Sequence, residues 1–353
     1  MSENENPNKL FIIGNGFDLA HDLKTRYEDF LFWYLKKVSK REKINDGIIE
    51  NDTKLNWEIE SISDFFSRIK YSKDVYNSNK IIFSYPFFEK ITKNYLNQKW
   101  VDIEQEYFKY LINLYRQSES RGEKYLLDEV KKLNDQFSKI TTELENYLNS
   151  FKEDIVLENE LRDHFIDIFK LSNSKKIENN SIILNFNYTN TISLYLPTFH
   201  IGNIKYNPLV INIHGDLYNN ENIIFGYGDE DDPLYEKLER LNENELLKHF
   251  KSFGYFKNEK YQTLNNFIES SNYDVYIMGH SCGISDRVLL STIFSHPNCN
   301  KIQIFYHQKS ETENDFFEKT QQISRHFKAG MKNEMRKKIV PFSECKPLVS
   351  FKN

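Results

Sequence analysis

The amino-acid sequence predicts an α/β fold in which helices flank a mostly parallel sheet, with a large all-helical insertion after the first strand–helix unit. Three observations indicate this fold. A short apolar run near residue 10 leads into a glycine-rich turn, a helical stretch of about 130 residues follows, and apolar runs alternate with helical patterns in the rest of the 353-residue chain. Because a strand buried on both faces needs neighbours, the first run is expected to join the later strands.

The first unit begins with Lys9–Ile13, a continuous apolar run that is typical of a doubly buried strand. The turn Gly14-Asn15-Gly16-Phe17-Asp18 follows, and a helix is predicted from about residue 19 to residue 38. Strand, glycine-rich turn and helix in this order open a Rossmann-like fold. Leu19 occupies the place of the third glycine in the full dinucleotide fingerprint, so a simple turn remains an alternative.

Apolar residues of the middle region recur at helical spacing. One series keeps this spacing for three heptads: Leu126, Val130, Leu133, Phe137, Ile140, Leu144 and Tyr147. Two interpretations stay open. The stripe belongs to a long helix packed inside a helical lobe, or it forms a seam through which the lobe makes a homo-oligomer.

The second half of the chain carries the remaining strand signals. Strands are predicted at residues 181–186, 209–213, 223–225, 273–278 and 301–306, and helices at residues 245–270, 285–295 and 311–327. This alternation favours a mostly parallel sheet with crossover helices. The predicted domains are a discontinuous Rossmann-like domain, residues 1–40 plus 176–345, and a helical insertion lobe, residues 41–175.

Composition excludes several classes of protein. A formal net charge of −5 argues against a surface devoted to nucleic acid. The three cysteines show no metal-ligand spacing, which disfavours a structural zinc site and a disulfide framework and favours a reducing compartment. No apolar run approaches the roughly 18 residues of a membrane span, and the polar N-terminus is unlike a signal peptide. We therefore expect a cytoplasmic protein without a membrane partner.

Four polar clusters each follow a predicted strand: residues 14–18, 185–191, 214–216 and 279–286. Since ligands bind beyond the carboxyl ends of parallel strands, all four clusters are expected on one rim of the sheet. The glycines permit close approach of a phosphate, an asparagine can orient a water or a ribose hydroxyl, and a histidine has a pKa near the working pH.

The fourth cluster also fits a serine nucleophile. Gly279, Ser281 and Gly283 match G-x-S-x-G formally, and a triad would then need His307 or His326 as its base. The motif comes late in the chain for an α/β-hydrolase, which disfavours this alternative.

The segment Phe11–His21 closely resembles the opening motif of the AbiH family of bacterial phage abortive-infection proteins. Phe186–Thr189, Ile213–Gly215 and Gly279–Ser281 follow in the order of that family, and Trp100–Glu104 resembles a feature of its helical insertion. The resemblance spans nearly the whole chain. It implies an anti-phage role, with a phage-derived trigger or a second defence protein as partner.

The same motifs more remotely resemble the sirtuin-like fold of NAD-cleaving defence domains. That resemblance implies that Asn187 and His214 serve NAD cleavage. It also implies a set of nucleotide-binding residues: Gly14, Asn15, Gly16, Phe17, Thr189, Gly279, His280 and Ser281. Thr189 stands where the sirtuin-like motif usually has an aspartate.

The function expected from these observations is hydrolysis of NAD, or of a related nucleotide, at the N-glycosidic bond, with no cofactor and no metal required. Asn187 would position the ribose or the attacking water, and His214 would accept a proton. Asp18 or Asp216 would stabilise the positive charge that develops on the ribose.

Two other functions stay open. A metal-dependent nuclease or phosphohydrolase would use Asp18 and Asp216, together with Asp102 and Glu104. A nucleotide-binding sensor subunit would use the same rim without turnover.

Overall fold

The computed structural model describes residues 7–41, 43–51, 57–76, 81–99, 101–151, 155–170, 181–201, 204–218, 221 and 223–351. Trp100, which the resemblance to the AbiH insertion includes, lies outside these residues. Of the residues described, no helix has the length and hydropathy that crossing a membrane requires.

The strands and helices of the described residues have the following bounds. The strands are β1 Asn8–Ile13, β2 Ile44–Asn45, β3 Ile49–Asn51, β4 Ile82–Phe83, β5 Ser181–Asn185, β6 His200–Ile201, β7 Ile204–Lys205, β8 Leu209–Asn212, β9 Tyr273–Met278 and β10 Cys299–Phe305. The helices are α1 Asn15–Leu19, α2 Tyr27–Ser39, α3 Ile62–Tyr76, α4 Pro86–Gln98, α5 Ile103–Arg121, α6 Glu123–Leu148, α7 Asn159–Lys170, α8 Pro233–Glu239, α9 Asn244–Leu247, α10 Lys251–Gly254, α11 Lys260–Ser270, α12 Arg287–Ser295, α13 Phe316–Arg325 and α14 Lys332–Lys338. Short 3-10 turns include Thr191–Leu194, Tyr255–Lys257 and Ile284–Asp286.

The chain divides into two compact units. The first consists of Met1–Lys24, Glu153–Ile224 and Lys251–Asn353, and the second of Thr25–Lys152 and Phe225–Phe250. The predicted domain ranges differ from these units in three places, because α2 and residues 225–250 belong to the second unit and α7 belongs to the first.

A five-stranded parallel sheet forms the centre of the first unit. Its order is β10-β9-β1-β5-β8, so β1 lies between β5 and β9. Numbered by their place in the chain, these strands stand in the order 3-2-1-4-5 when read from β8, which is the order of a dinucleotide-binding fold. The prediction of an α/β fold with a mostly parallel sheet is therefore confirmed.

Side chains of the central strand alternate between two apolar layers, as the two-residue period of a strand requires. Leu10 and Ile12 belong to a core that includes residues of α11, α12 and α13. Phe11 and Ile13 face the other side, where the ring of Phe11 lies 5.1 Å from that of Phe165 on α7. Because both faces of β1 are covered, its continuous apolar sequence is explained.

The second unit is mainly helical, but it also contains a three-stranded antiparallel sheet, β2-β3-β4. The expectation of an all-helical insertion is wrong in this respect. The reason is the turn at Asp46-Gly47, where Gly47 has a φ of +79° and Asp46 Oδ1 accepts hydrogen bonds from the N–H groups of Ile48 and Ile49. An Asp-Gly pair is a strong hairpin signal.

The heptad stripe of α6 is buried inside the second unit. Phe137 packs against Tyr107, with ring centroids 4.4 Å apart, and stacks on Phe225 at 5.0 Å. Tyr107 donates a hydrogen bond to Asn134, which in turn donates to the backbone carbonyl of Glu245. The stripe therefore packs inside its own unit, and it is not available as a seam between two copies.

Three of the predicted elements differ from the observed ones. The predicted helix over residues 19–38 is interrupted between α1 and α2, because Asp22 adopts a left-handed φ of +59°. Residues 223–225 are buried but do not form a strand, and the backbone N–H of Ile224 donates to the backbone carbonyl of His214. The predicted helix over residues 245–270 is broken into shorter pieces, and Asn258 Oδ1 accepts from the N–H of Lys260 where α11 begins.

Candidate functional site

The four polar clusters follow the carboxyl ends of adjacent parallel strands. Gly14 follows β1, residues 186 and 187 follow β5, His214 follows β8, and Gly279 follows β9. Ile13, the last residue of β1, pairs with Asn185 on one side and with Met278 on the other. The rim of this sheet therefore brings together segments that are far apart in the sequence.

The glycines of the rim are needed for contact between two loops. Gly16 donates its N–H to the carbonyl of Gly279 at 2.7 Å. A Cβ atom on Gly14 would lie 2.5 Å from Cα of His280, and one on Gly279, whose φ is +79°, would lie 2.2 Å from the nitrogen of Phe17. The loops after β1 and β9 therefore contact each other directly, at the turn where close approach of a phosphate was expected.

Asn185, Asn212 and Asp216 form a hydrogen-bonded chain along the rim. Asn185 Nδ2 donates to Asn212 Oδ1 at 2.9 Å, and Asn212 Nδ2 donates to Asp216 Oδ2 at 2.8 Å. The other carboxylate oxygen of Asp216 accepts from the N–H of Tyr218 at 2.9 Å. Both oxygens of Asp216 thus hold its own loop in place.

Asn187 connects the ends of β1 and β5. Its Nδ2 donates to the carbonyl of Gly14 at 3.1 Å, and its backbone N–H donates to Asn185 Oδ1 at 3.1 Å. These bonds fix the side chain beside the glycine-rich turn. The sequence pattern predicts that Asn187 lies at the rim, but nothing in it indicates this contact with Gly14.

Asp18 is a buried carboxyl group at the rim. It is 1% exposed, and Thr189 Oγ1 donates to its Oδ2 at 2.5 Å. Within the described residues, no donor reaches its Oδ1. Burial raises the pKa of Asp18 to about 6, although Thr189, Thr191 and Asn187 act in the opposite direction. A buried oxygen without a partner costs about 1–3 kcal/mol, so a ligand or water that donates to it is favoured.

A second buried cluster lies at the ends of β8 and β9, and the sequence analysis missed two of its members, Lys251 and Tyr255. Lys251 Nζ lies 2.7 Å from Asp286 Oδ1, and Asp286 also faces His214 at 3.4 Å and His280 at 3.5 Å. The ammonium of Lys251 and the hydrogen bond from His280 hold the pKa of Asp286 well below its usual range, against the effect of burial. Lys251 belongs to no recognisable motif, because it lies inside residues 245–270, for which the sequence predicts one long helix.

His214 is neutral in this cluster. Its Nε2 lies 3.3 Å from the hydroxyl of Tyr255 and 3.4 Å from Asp286 Oδ1. Burial and the nearby ammonium of Lys251 lower the pKa of His214 to about 3. The expectation of a histidine with a pKa near the working pH is therefore wrong, and a base this weak accepts protons poorly.

The loop after β9 shows no arrangement of a serine nucleophile. Ser281 is exposed, whereas His280 and Cys282 are buried, and Cys282 has a left-handed φ of +53°. His280 Nδ1 accepts from the N–H of Cys282 at 2.9 Å, and His326 Nε2 donates to the carbonyl of Cys282 at 2.9 Å. His326, one of the two bases that a triad would use, thus bonds to the backbone.

The acids of the metal-dependent alternative have structural partners. In the second unit, Asp102 caps α5 by accepting from the N–H of Gln105 at 3.0 Å, and Glu104 accepts from the N–H of Gly226 at 3.0 Å. The described residues contain no group of three or more His, Cys, Asp or Glu side chains placed to hold a metal ion.

A groove of about 450 Å³ lies at the opposite end of the sheet. It is lined by the first residues of β5 and β8, Ser181 and Leu209, and by Thr263 and Phe267 of α11. Ligands of open parallel sheets bind at the carboxyl ends of the strands, so this groove is not the expected site.

The strand order and the polar rim define a Rossmann-like α/β protein. The family described as Bacteriophage abortive infection AbiH matches residues 10–308, a range that includes all four rim clusters. The chain belongs to the AbiH family, and its role is defence against phage by abortive infection. No curated protein sequence matches the chain significantly.

Proposed function

We propose that this AbiH protein hydrolyses NAD or a related nucleotide at the N-glycosidic bond, and that the reaction takes place at the carboxyl rim of the five-stranded sheet. The observation that carries the proposal is Asp18, a buried carboxyl group that has one oxygen without a donor among the described residues and a pKa raised to about 6. Groups with perturbed pKa values at the ligand edge of a sheet are candidates for catalysis.

The chemistry of the bond fits such a carboxyl group. When the bond between the ribose carbon and the nicotinamide nitrogen breaks, its electron pair leaves with the nicotinamide and positive charge develops on the ribose. A carboxylate at Asp18 stabilises that charge, and Asn187 orients the ribose or the attacking water. Asp216, which the sequence analysis gave the same role as Asp18, contributes by holding the loop after β8.

The rim of the structure is closed. Asp18 and His214 are 1% and 3% exposed, and the loop of Gly14 and Gly16 contacts the loop of Gly279 directly. On this proposal, turnover requires these two loops to separate. A closed resting state suits a toxic activity that a phage-derived trigger or a second defence protein releases.

An assay of NAD turnover tests the proposal. Purified protein is incubated with NAD, with and without Mg²⁺, and with lysate from phage-infected cells; nicotinamide and ADP-ribose are separated by chromatography. We expect release of nicotinamide that does not require Mg²⁺ and that the infected lysate increases. Intact NAD under every condition, with the protein folded, would contradict the proposal.

A nucleotide-binding sensor is the second candidate, and the closed rim and the neutral His214 favour it. On that account the rim binds a nucleotide without cleaving it. Calorimetry separates the two candidates, because a sensor gives a binding isotherm with NAD while the nucleotide stays intact.

A further inference from the structure

The rim offers two side chains that could accept a proton from the attacking water, Asp18 and His214. We infer that Asp18, and not His214, accepts that proton. The inference rests on the proposed function and assigns a role within it. It reverses the assignment that the resemblance to sirtuin-like domains implies.

The hydrogen bonds of Asp18 leave one of its oxygens available. Thr189 Oγ1 donates to Oδ2 at 2.5 Å and thereby fixes the carboxyl group, while Oδ1 accepts from none of the described residues. Asp18 belongs to α1, directly after the glycine-rich turn, and Asn187 is bonded to that turn through Gly14. The available oxygen therefore lies in the buried environment where the proposed reaction places a water or a ribose hydroxyl.

The surroundings of His214 disfavour the addition of a second proton to its neutral ring. Its Nε2 already faces Asp286 and the hydroxyl of Tyr255. Lys251 lies 2.7 Å from the same carboxylate, so protonation of His214 would bury a second positive charge beside one carboxylate. The pKa values agree with this geometry, since that of His214 is lowered to about 3 and that of Asp18 is raised to about 6.

The proposed step conserves atoms and charge. The bond from the ribose carbon to the pyridinium nitrogen breaks, and its electron pair neutralises the nicotinamide, which leaves. The water oxygen forms a bond to the ribose carbon, and one water proton passes to Asp18. The carboxylic acid then releases the proton to solvent, so that nicotinamide, ADP-ribose and one proton are the products.

The pH dependence of turnover distinguishes the two residues. With Asp18 as the acceptor, kcat/KM of the wild-type protein rises with pH and levels off above about pH 6. Asp18→Asn should lower turnover by roughly 10²–10⁴-fold and abolish that inflection, while binding of ADP-ribose measured by calorimetry persists. His214→Gln should retain the inflection.

A matched control lies four residues further along the chain. Asp22 is exposed and has a left-handed φ of +59°, a conformation that asparagine tolerates, so Asp22→Asn should leave turnover unchanged. Infrared titration gives a readout without turnover. A carboxylic C=O band with a midpoint near pH 6 should be absent from Asp18→Asn and present in Asp22→Asn.

Three outcomes contradict the inference. The first is wild-type turnover in Asp18→Asn, and the second is loss of the inflection in His214→Gln alone. The third is a carboxyl band near pH 6 that survives in Asp18→Asn. Each leaves the proposed function standing as long as the wild-type protein cleaves NAD. A wild-type protein that is inert would instead overturn the proposed function, and this assignment with it.

Discussion

Thr189 Oγ1 donates a 2.5 Å hydrogen bond to Oδ2 of Asp18, from a position 171 residues later in the chain. This bond joins the loop that follows β5 to the turn that follows β1. It holds one oxygen of a buried carboxyl group and leaves the other without a donor among the described residues.

Replacement of Thr189 by valine tests the contribution of this bond. Thr189→Val keeps the side-chain shape and removes the donor, so the pKa of Asp18 should rise further. Because a hydrogen bond to a charged group is worth about 1.5–3 kcal/mol, the variant should lose more stability at pH 8, where Asp18 is ionised, than at pH 5. Urea unfolding at both values checks this, and Thr189→Ser should retain most of the wild-type stability.

Asp18→Asn should stabilise the protein at pH 8. The pKa of Asp18 is higher in the folded chain than in the unfolded chain, so its contribution to stability is largest below about pH 4 and is lost as the pH rises through 6. The change from 3.8 to about 6 corresponds to about 3 kcal/mol. The gain in free energy of unfolding should therefore be near that value at pH 8 and absent at pH 4. A variant that is less stable than wild type at pH 8 would refute this account.

Buried neutral histidines should make the fold sensitive to acid. Burial lowers the pKa of His326 to about 4, so below pH 6.5 the unfolded chain binds a proton that the folded chain does not. This contribution is fully present above pH 6.5 and falls with the pH. Between pH 7 and pH 5, the free energy of unfolding should therefore fall by about 2 kcal/mol less in His326→Gln than in the wild-type protein. An unchanged loss would show that His326 does not contribute.

Loss of the buried ion pair between Lys251 and Asp286 should lower the free energy of unfolding strongly. Lys251→Met leaves Asp286 buried without its ammonium and should cost about 3–5 kcal/mol. Lys251 lowers the pKa values of both His214 and His280, so their ring signals in NMR should titrate at higher pH in this variant. Replacement of the exposed Lys328 by methionine is the control and should leave both signals in place.

Gly14→Ala should force the two rim loops apart. Its methyl group would lie 2.5 Å from Cα of His280, and overpacking of this kind costs about 1–3 kcal/mol. Gly330→Ala is the matched control, because a Cβ there meets nothing within 4 Å of the described structure. Hydrogen exchange should show faster opening of residues 14–18 and 279–283 in the first variant only. Equal protection in both variants would mean that the loops do not depend on this contact.

The sequence predicted the parts of the fold that follow from periodicity. The apolar runs predict the strands β1, β5 and β9, and the heptad spacing predicts the long helix α6. A parallel sheet brings the polar residues that follow its strands to one edge. The small sheet β2-β3-β4 was missed because its strands are two or three residues long, although the Asp46-Gly47 turn signals it.

The electrostatics of the site could not be read from the sequence. His214 was expected to titrate near neutral pH, but its pKa depends on burial and on Lys251, a residue 37 positions away whose side chain carries no motif. Likewise, the missing donor at Asp18 Oδ1 depends on which side chains several loops bring near it. Such properties arise from the packing of distant segments and leave no local pattern.

The order in which the strands occur in the chain has a consequence for synthesis on the ribosome. β1 is the central strand of its sheet, yet its partner β5 begins about 170 residues later and β9 about 260 residues later. At an elongation rate of about 5–20 residues per second, roughly 10–50 seconds pass between the synthesis of β1 and the synthesis of β9, the later of its two neighbours. The nascent chain thus carries an unpaired apolar strand for most of translation, and its rim is assembled only after β9 is made. On the proposed function, a fragment released before that point lacks the loop of Gly279 and is expected to have no turnover.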